Sequence, residues 1–187
     1  MTRRFALALL ATLALGSSGC GYNTIQTLDE QVGRAQGQIQ AQLQRRADLI
    51  PNLVATVKGY AAHEEGVFTA VADARSRLAG AVQSNNLEQM AEANQALNAP
   101  LGRLLAISEA YPELKADQNF RALQDELTGT ENRIATARQD YNDAVNSFNG
   151  YIRKFPYNLT AKMFGAGGPK PYFQAREGAE AAPEVKF

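Results

Sequence analysis

The chain holds one histidine, His63, and two carboxylates follow it directly, Glu64 and Glu65. One imidazole with two carboxylates is a donor set a metal could use, and a metal-bound water would make the trio a hydrolase site. The spacing argues against this. There is no H-E-x-x-H pair and no second imidazole, so a capping role in a turn fits His63 better than ligation. With a single histidine no Ser-His-Asp set can be assembled. No glycine-rich phosphate loop follows a strand pattern. The polar cluster in "LQRRADLIPNLV" (43–54) is more informative. It places Arg45, Arg46, Asp48 and Asn52 around Pro51, inside what otherwise reads as an unbroken helix.

The third reactive position is Cys20, the only cysteine among the 187 residues. "MTRR" is a basic start, residues 5–15 "FALALLATLAL" form an apolar run, and "GSSGC" follows. A membrane-crossing helix needs about 20 apolar residues, so this run has the length of a signal-peptide core instead. Small residues before a cysteine resemble a bacterial lipobox, with Ser17 where leucine is usual. The expectation is a leader over 1–19 and acylation of Cys20 as the mature N-terminus; an uncleaved hydrophobic anchor is the alternative. Gly21 in place of aspartate after the cysteine leans toward an outer membrane if two are present. Cleavage removes Arg3 and Arg4 and leaves 17 basic against 19 acidic side chains, a net charge of −2. A membrane would then hold the chain through acyl groups and not through a basic patch. The charge balance and the lack of a basic, aromatic face also exclude nucleic acid as a partner.

The elements that must carry these residues are helical. From Ile25 to Ala61 apolar residues recur at steps of three and four, which predicts one helix over about 22–60, roughly 58 Å long at 1.5 Å per residue. A second helix carries Val67, Val71, Ala74, Leu78 and Val82. Asn85 and Glu88 have capping-box spacing before a third, which runs through Leu87, Met90, Leu97, Leu101 and Leu104 to "YP". Pro100 and Gly102 are expected to kink or split that third helix. Asp117 is placed to cap a last long helix with the stripe Phe120, Leu123, Leu127, Thr130, Ile134, Ala137, Tyr141, Val145, Phe148, Ile152 and Phe155. No segment alternates as a strand does. The fold class expected is all-α: an antiparallel up-and-down four-helix bundle of two long and two shorter helices, behind a lipidation segment. It would occupy 20–157, leaving 158–187 as a short helix and a loose Gly/Pro/Ala-rich tail. Phe164, Tyr172 and Phe173 could pin the start of that tail.

On a wheel of about 100° per residue, Ala47, Ile50 and Val54 lie within about 40° of Leu43, while Arg45, Asp48 and Asn52 share the opposite side. Arg46 flanks the apolar stripe, and Leu49 and Leu53 widen it toward a second neighbour. Pro51 removes the bond to the Ala47 carbonyl at a cost of about 3 kcal/mol and opens that oxygen to a donor such as Arg45 or Arg46. Glu131, Arg138, Asn142 and Asn149 form a polar ladder beside the last stripe. Arg75 lies beside Val71 and Leu78. Boundary arginines such as Arg75 and Arg138 read as snorkelling or interhelical side chains.

In order along the chain, "GYNTI", "LQRRADLIPNLVATVKGYAAHE", "ARSRL", "YPELKADQNFRALQDEL", "ENRIATARQDYNDAVNSFNGYIRKFP" and a late "PYF" together resemble the LemA family, from about Tyr22 to Phe173. The resemblance implies a membrane-attached helical bundle and no particular activity. Many of its relatives look to be held by an N-terminal transmembrane helix, from which this chain departs with a short run and a lipobox-like cysteine. The function expected is a non-enzymatic, membrane-tethered scaffold or adaptor on the exported face of a bacterial cell envelope. It needs no cofactor and would contact an unidentified envelope protein. Alternatives are an enzyme built on His63, Glu64 and Glu65, or a self-associating structural coiled coil.

Overall fold

The computed structural model describes residues 2–173, and their side chains from residue 21 onward. The leader, the acylation at Cys20 and the far tail (174–187) lie outside those side chains. Among the described residues the protein is all-helical. Its helices are α1 (Thr2–Tyr60), α2 (Glu65–Gln83), α3 (Leu87–Ala110), α4 (Pro112–Ala116), α5 (Gln118–Arg153) and α6 (Tyr157–Met163). Among the described residues there are six helices: the two long and two shorter ones expected, the short helix expected after Pro156, and one outside the expectation, α4. α4 arises where Pro112 occupies its first turn, the position at which proline's missing N–H has no intrahelical partner to lose. α6 is the short helix of "NLTAKM". Neither Pro51 nor Pro100 interrupts its helix. The expected split of α3 does not occur, and Pro100 and Leu101 are both buried in one continuous element.

The chain divides into two compact units, one of Met1–Gly37 with Gln139–Tyr172 and one of Gln38–Arg138 with Phe173–Phe187. In the second unit, Leu43, Ala47, Ile50, Leu53 and Val57 of α1 are buried, as are Val71 and Leu78 of α2, Leu97 and Leu104 of α3, and Leu127 and Ile134 of α5. Each such leucine or isoleucine contributes about 2 kcal/mol by leaving water. Leu53 takes the core place expected for Val54, which is only half-buried. Phe68 and Ala81 similarly displace Val67 and Val82. Each of the three replacements moves burial to an adjacent position, one residue earlier at Leu53 and Ala81 and one later at Phe68.

In the first unit the core joins Ile25 and Val32 of α1 to Tyr141, Val145, Phe148 and Ile152 of α5 and Ala161 of α6. The Tyr141 hydroxyl donates to the Pro171 carbonyl at 3.1 Å, and burial raises its pKa. Asn149, fully enclosed, donates to the Lys170 carbonyl at 2.9 Å and accepts the Lys170 N–H at 2.8 Å. The Lys170 ammonium pairs with Asp29 and lies 5.2 Å from the Phe148 ring centre. α6 ends in a Schellman arrangement: Gly165 adopts φ +76°, and the Ala166 N–H reaches back to the Ala161 carbonyl at 2.8 Å.

The caps show how the turns are cut. Asn86, one residue later than the spacing predicts, caps α3 by accepting the Gln89 N–H at 3.1 Å. Asn85 instead takes the left-handed conformation, φ 56°, which asparagine tolerates. Glu64, not His63, occupies the N-cap of α2, and its side chain makes no capping bond. Asp117 caps α5 as expected, with Oδ1 accepting the Phe120 N–H at 2.8 Å, while Oδ2 accepts the Tyr60 hydroxyl at 3.0 Å. The Phe120 N–H, then the Tyr60 hydroxyl, holds the Asp117 carboxyl below its ordinary pKa. A depressed carboxylate pKa stabilises the fold above the ordinary carboxylate range, and the contribution is lost as pH falls through the depressed value. Asp117→Ala is therefore expected to lower the urea midpoint at pH 7, and its gap from the parent protein should narrow on acidification. A gap independent of pH would refute the assignment.

Candidate functional site

The polar residues singled out along 43–54 separate into two groups once the helices are in place. Arg46 is the buried one, 5% exposed. Its Nη1 donates to Asn94 Oδ1, and its Nη2 to Asn98 Oδ1 at 2.9 Å, both on α3. Nη1 also pairs with Glu131 Oε2 of α5 at 2.6 Å. Three helices thus meet on one guanidinium. Burial lowers the Arg46 pKa, opposed by Glu131 and reinforced by the neighbouring charge of Arg138. Arg138, also lowered by burial, lies 4.8 Å from the Phe173 ring centre, a cation–π contact. The Nε atoms of Arg46 and Arg138 are buried without an acceptor among the described residues. Burying the Arg46 charge costs several kcal/mol before its partners offset it, while Glu131 and Arg138 are only half-buried.

Pro51 lacks an N–H, so the Ala47 carbonyl has no partner one turn ahead. The donor that reaches it is Arg75 of α2, whose Nε lies 2.9 Å from that oxygen. This corrects the expectation that Arg45 or Arg46 would do so. Both point elsewhere: Arg46 to α3 and α5, and Arg45 to Glu126 of α5 at 2.7 Å, where Arg133 joins the same carboxylate at 3.2 Å. Together the two arginines hold the Glu126 pKa below its ordinary value, Arg133 foremost.

Asp48 and Asn52 make the other group. Both are exposed. Asp48 accepts from Gln44 at 2.8 Å, not from Arg45, and the Asn52 carbonyl accepts the Thr56 hydroxyl at 2.9 Å. The ladder predicted on α5 also divides. Glu131 and Arg138 belong to the second unit, Asn142 and Asn149 to the first, where Asn149 binds the Lys170 backbone and not a helix. His63 is exposed in the turn before α2. Among the described residues no group of three His, Cys, Asp or Glu side chains is placed to hold a metal ion.

Asn94 and Asn98 are not among the residues that the sequence reading singles out. The α3 stripe steps from Met90 to Leu97, a gap of seven, and the helical position inside that gap is Asn94. A polar residue standing where a core residue is due is the signal for a buried hydrogen-bond partner. Nothing in the sequence marks Glu126 apart from its neighbours.

The sequence model of the LemA family matches residues 35–187. The chain is similar to magnetosome proteins MamQ 2 and MamQ 1 of Paramagnetospirillum magneticum. It is 29% identical to each over 193 residues, which span 91% of this chain and 69% of theirs. Magnetosome protein MamQ of Magnetospirillum gryphiswaldense is 26% identical over 167 residues, 77% of this chain and 61% of its own.

Two stability measurements check this geometry. Arg75→Ala is expected to cost about 1.5–3 kcal/mol, because it strands the Ala47 carbonyl. In a Pro51→Ala background the cost should shrink, since the backbone N–H restored at position 51 takes over; additive effects in this double-mutant cycle would overturn the account. Glu131→Ala removes the charged partner of buried Arg46 and, with Glu131 half-exposed and Asn94 and Asn98 still accepting, is expected to cost about 1.5–2 kcal/mol. Adding Arg46→Met should recover at least about 1 kcal/mol of that loss; a double variant less stable than Glu131→Ala alone would refute it.

Proposed function

The chain belongs to the LemA family, and on that premise we propose that it is a membrane-tethered, non-enzymatic scaffold or adaptor of the bacterial cell envelope. It presents an up-and-down helical bundle on the exported face. The observation that carries this reading is the use made of the polar side chains in the second unit. Arg46, Glu131 and Arg75, the groups best suited by charge to act on a substrate, are engaged in joining helices. They fix a rigid body and leave Asp48 and Asn52 facing outward on α1. A rigid helical body with an exposed polar face is suited to presenting a surface to another protein.

The tether is Cys20, preceded by the apolar run of residues 5–15. Among the described residues no helix is long and apolar enough to cross a membrane, and acyl chains on Cys20 would supply the attachment. The bacterial relatives named as magnetosome proteins agree with a bacterial setting.

One experiment tests both parts. A photo-crosslinking residue at position 48 or 52, in cells fed labelled palmitate, is expected to give a labelled protein and a discrete adduct with one envelope protein. Cys20→Ala should abolish the label and the adduct together. An unlabelled, unprocessed parent protein that stays on the membrane would replace the acyl tether with a hydrophobic anchor, and labelled protein without any adduct would defeat the adaptor role.

A further inference from the structure

The first unit carries an apolar surface that its own core does not use. Phe155 closes the predicted α5 stripe, yet it lies beyond the end of that helix and is 79% exposed. Leu159 and Met163 follow at steps of four, 55% and 79% exposed, and Phe164 is 54% exposed. Leu159 and Met163, four apart on α6, lie on one side of that helix, and Phe155 is exposed in the turn that leads into it. The opposite side of α6 is secured: Ala161 is fully buried, and Tyr157 stacks on Tyr151 with ring centres 4.4 Å apart. These apolar groups are therefore held outward by a fixed helix.

Two further features identify what would cover them. The segment 153–164 carries Arg153, Lys154 and Lys162 and no acidic residue, in a chain whose formal charge is zero. Basic side chains flanking an apolar helical face are the pattern of helices that lie in the headgroup region of anionic bilayers. The surface also sits beside the tether. A Cβ added at Gly21 would come 2.8 Å from the Tyr157 ring, and the Tyr22 ring lies 4.6 Å from that of Phe164. Gly21 immediately follows Cys20, so acyl chains on that cysteine would begin next to α6.

We propose that α6 with Phe155 is a membrane-docking surface. It would insert Leu159, Met163 and Phe155 at the boundary of an anionic bilayer while Lys154 and Lys162 meet the phosphates. This rests on the tethered reading above and adds to it. Acyl chains on Cys20 hold the chain at the membrane without orienting it, and a second contact beside the anchor would fix which side of the first unit faces the lipid.

The chain contains no tryptophan, so a single introduced one reports its own surroundings. The chain as produced and processed in cells, extracted from their membranes and bearing Leu159→Trp, and separately Met163→Trp, is reconstituted with vesicles of phosphatidylglycerol and phosphatidylcholine, with and without brominated acyl chains. Arg34→Trp, exposed on α1 of the same unit and about 21 Å along the helix from Cys20, is the control. The expected result is a blue-shifted emission, quenched by the brominated lipid, for the α6 probes and not for the control. The quenching should weaken when Lys154→Glu and Lys162→Glu are added. Protein that floats with vesicles while its α6 probes stay as solvent-exposed as the control overturns the docking surface and leaves the tether standing. Protein that does not float at all overturns both. A blue shift without vesicles would show that another copy of the chain covers this face, and would likewise overturn the proposal.

Discussion

A carbonyl oxygen without its helical partner is the constraint around which the second unit is organised. Pro51 withholds the N–H that would close the turn from Ala47, and Ala47 is fully buried. A buried peptide oxygen left unpaired costs free energy comparable to a lost hydrogen bond. Arg75 answers it from α2, so a defect within one helix becomes a bond between two. The bond fixes the relative height of α1 and α2 more tightly than apolar contacts can, because leucine and valine surfaces tolerate sliding and a directed N–H···O contact does not.

Arg46 applies the same logic with charge. Its guanidinium is planar, with donors in fixed directions, and here Asn94, Asn98 and Glu131 receive them. Stability alone does not explain such a group, since well-packed apolar residues often serve as well or better. What it supplies is discrimination. A helical unit built mainly from Leu, Ile, Val and Ala has many packings of similar energy, and only those that bring two α3 carboxamides and one α5 carboxylate to the same point avoid a stranded charge. Thr130, also enclosed, imposes no such demand, because its hydroxyl turns back onto the Glu126 carbonyl of its own helix.

The helices are legible in the sequence because steps of three and four persist through α1 and α5, and burial follows those steps from Ile25 to Val57 and from Phe120 to Ile152 except at Leu28, Val54 and Leu123, which are half-buried. Asp117 is legible as a cap because an N-cap is a local matter. The errors arise where a neighbour decides. Whether Asn85 or Asn86 caps α3 depends on which of them enters the left-handed region. Whether Val54 or Leu53 is enclosed depends on where α2 and α3 lie. Arg45 and Asp48 are correctly spaced to pair within α1, yet Glu126 offers Arg45 an alternative that no local pattern reveals. Arg46 reads as a flanking residue because its charge argues for the boundary. Its burial is visible only through the gap in α3 that Asn94 fills.

Asn149 has a consequence of a different kind. Its carboxamide offers an N–H and a C=O to the C=O and N–H of one residue, Lys170, as the peptide of an adjacent strand would. An otherwise helical unit thereby acquires a one-residue imitation of a sheet. Because the recognised atoms are backbone, the captured segment can vary in side chains while staying in register, and the whole requirement falls on the receiving position. Aspartate there would keep the shape and lose the donor, leaving the segment to its Tyr141, Asp29 and Phe148 contacts without the paired backbone recognition.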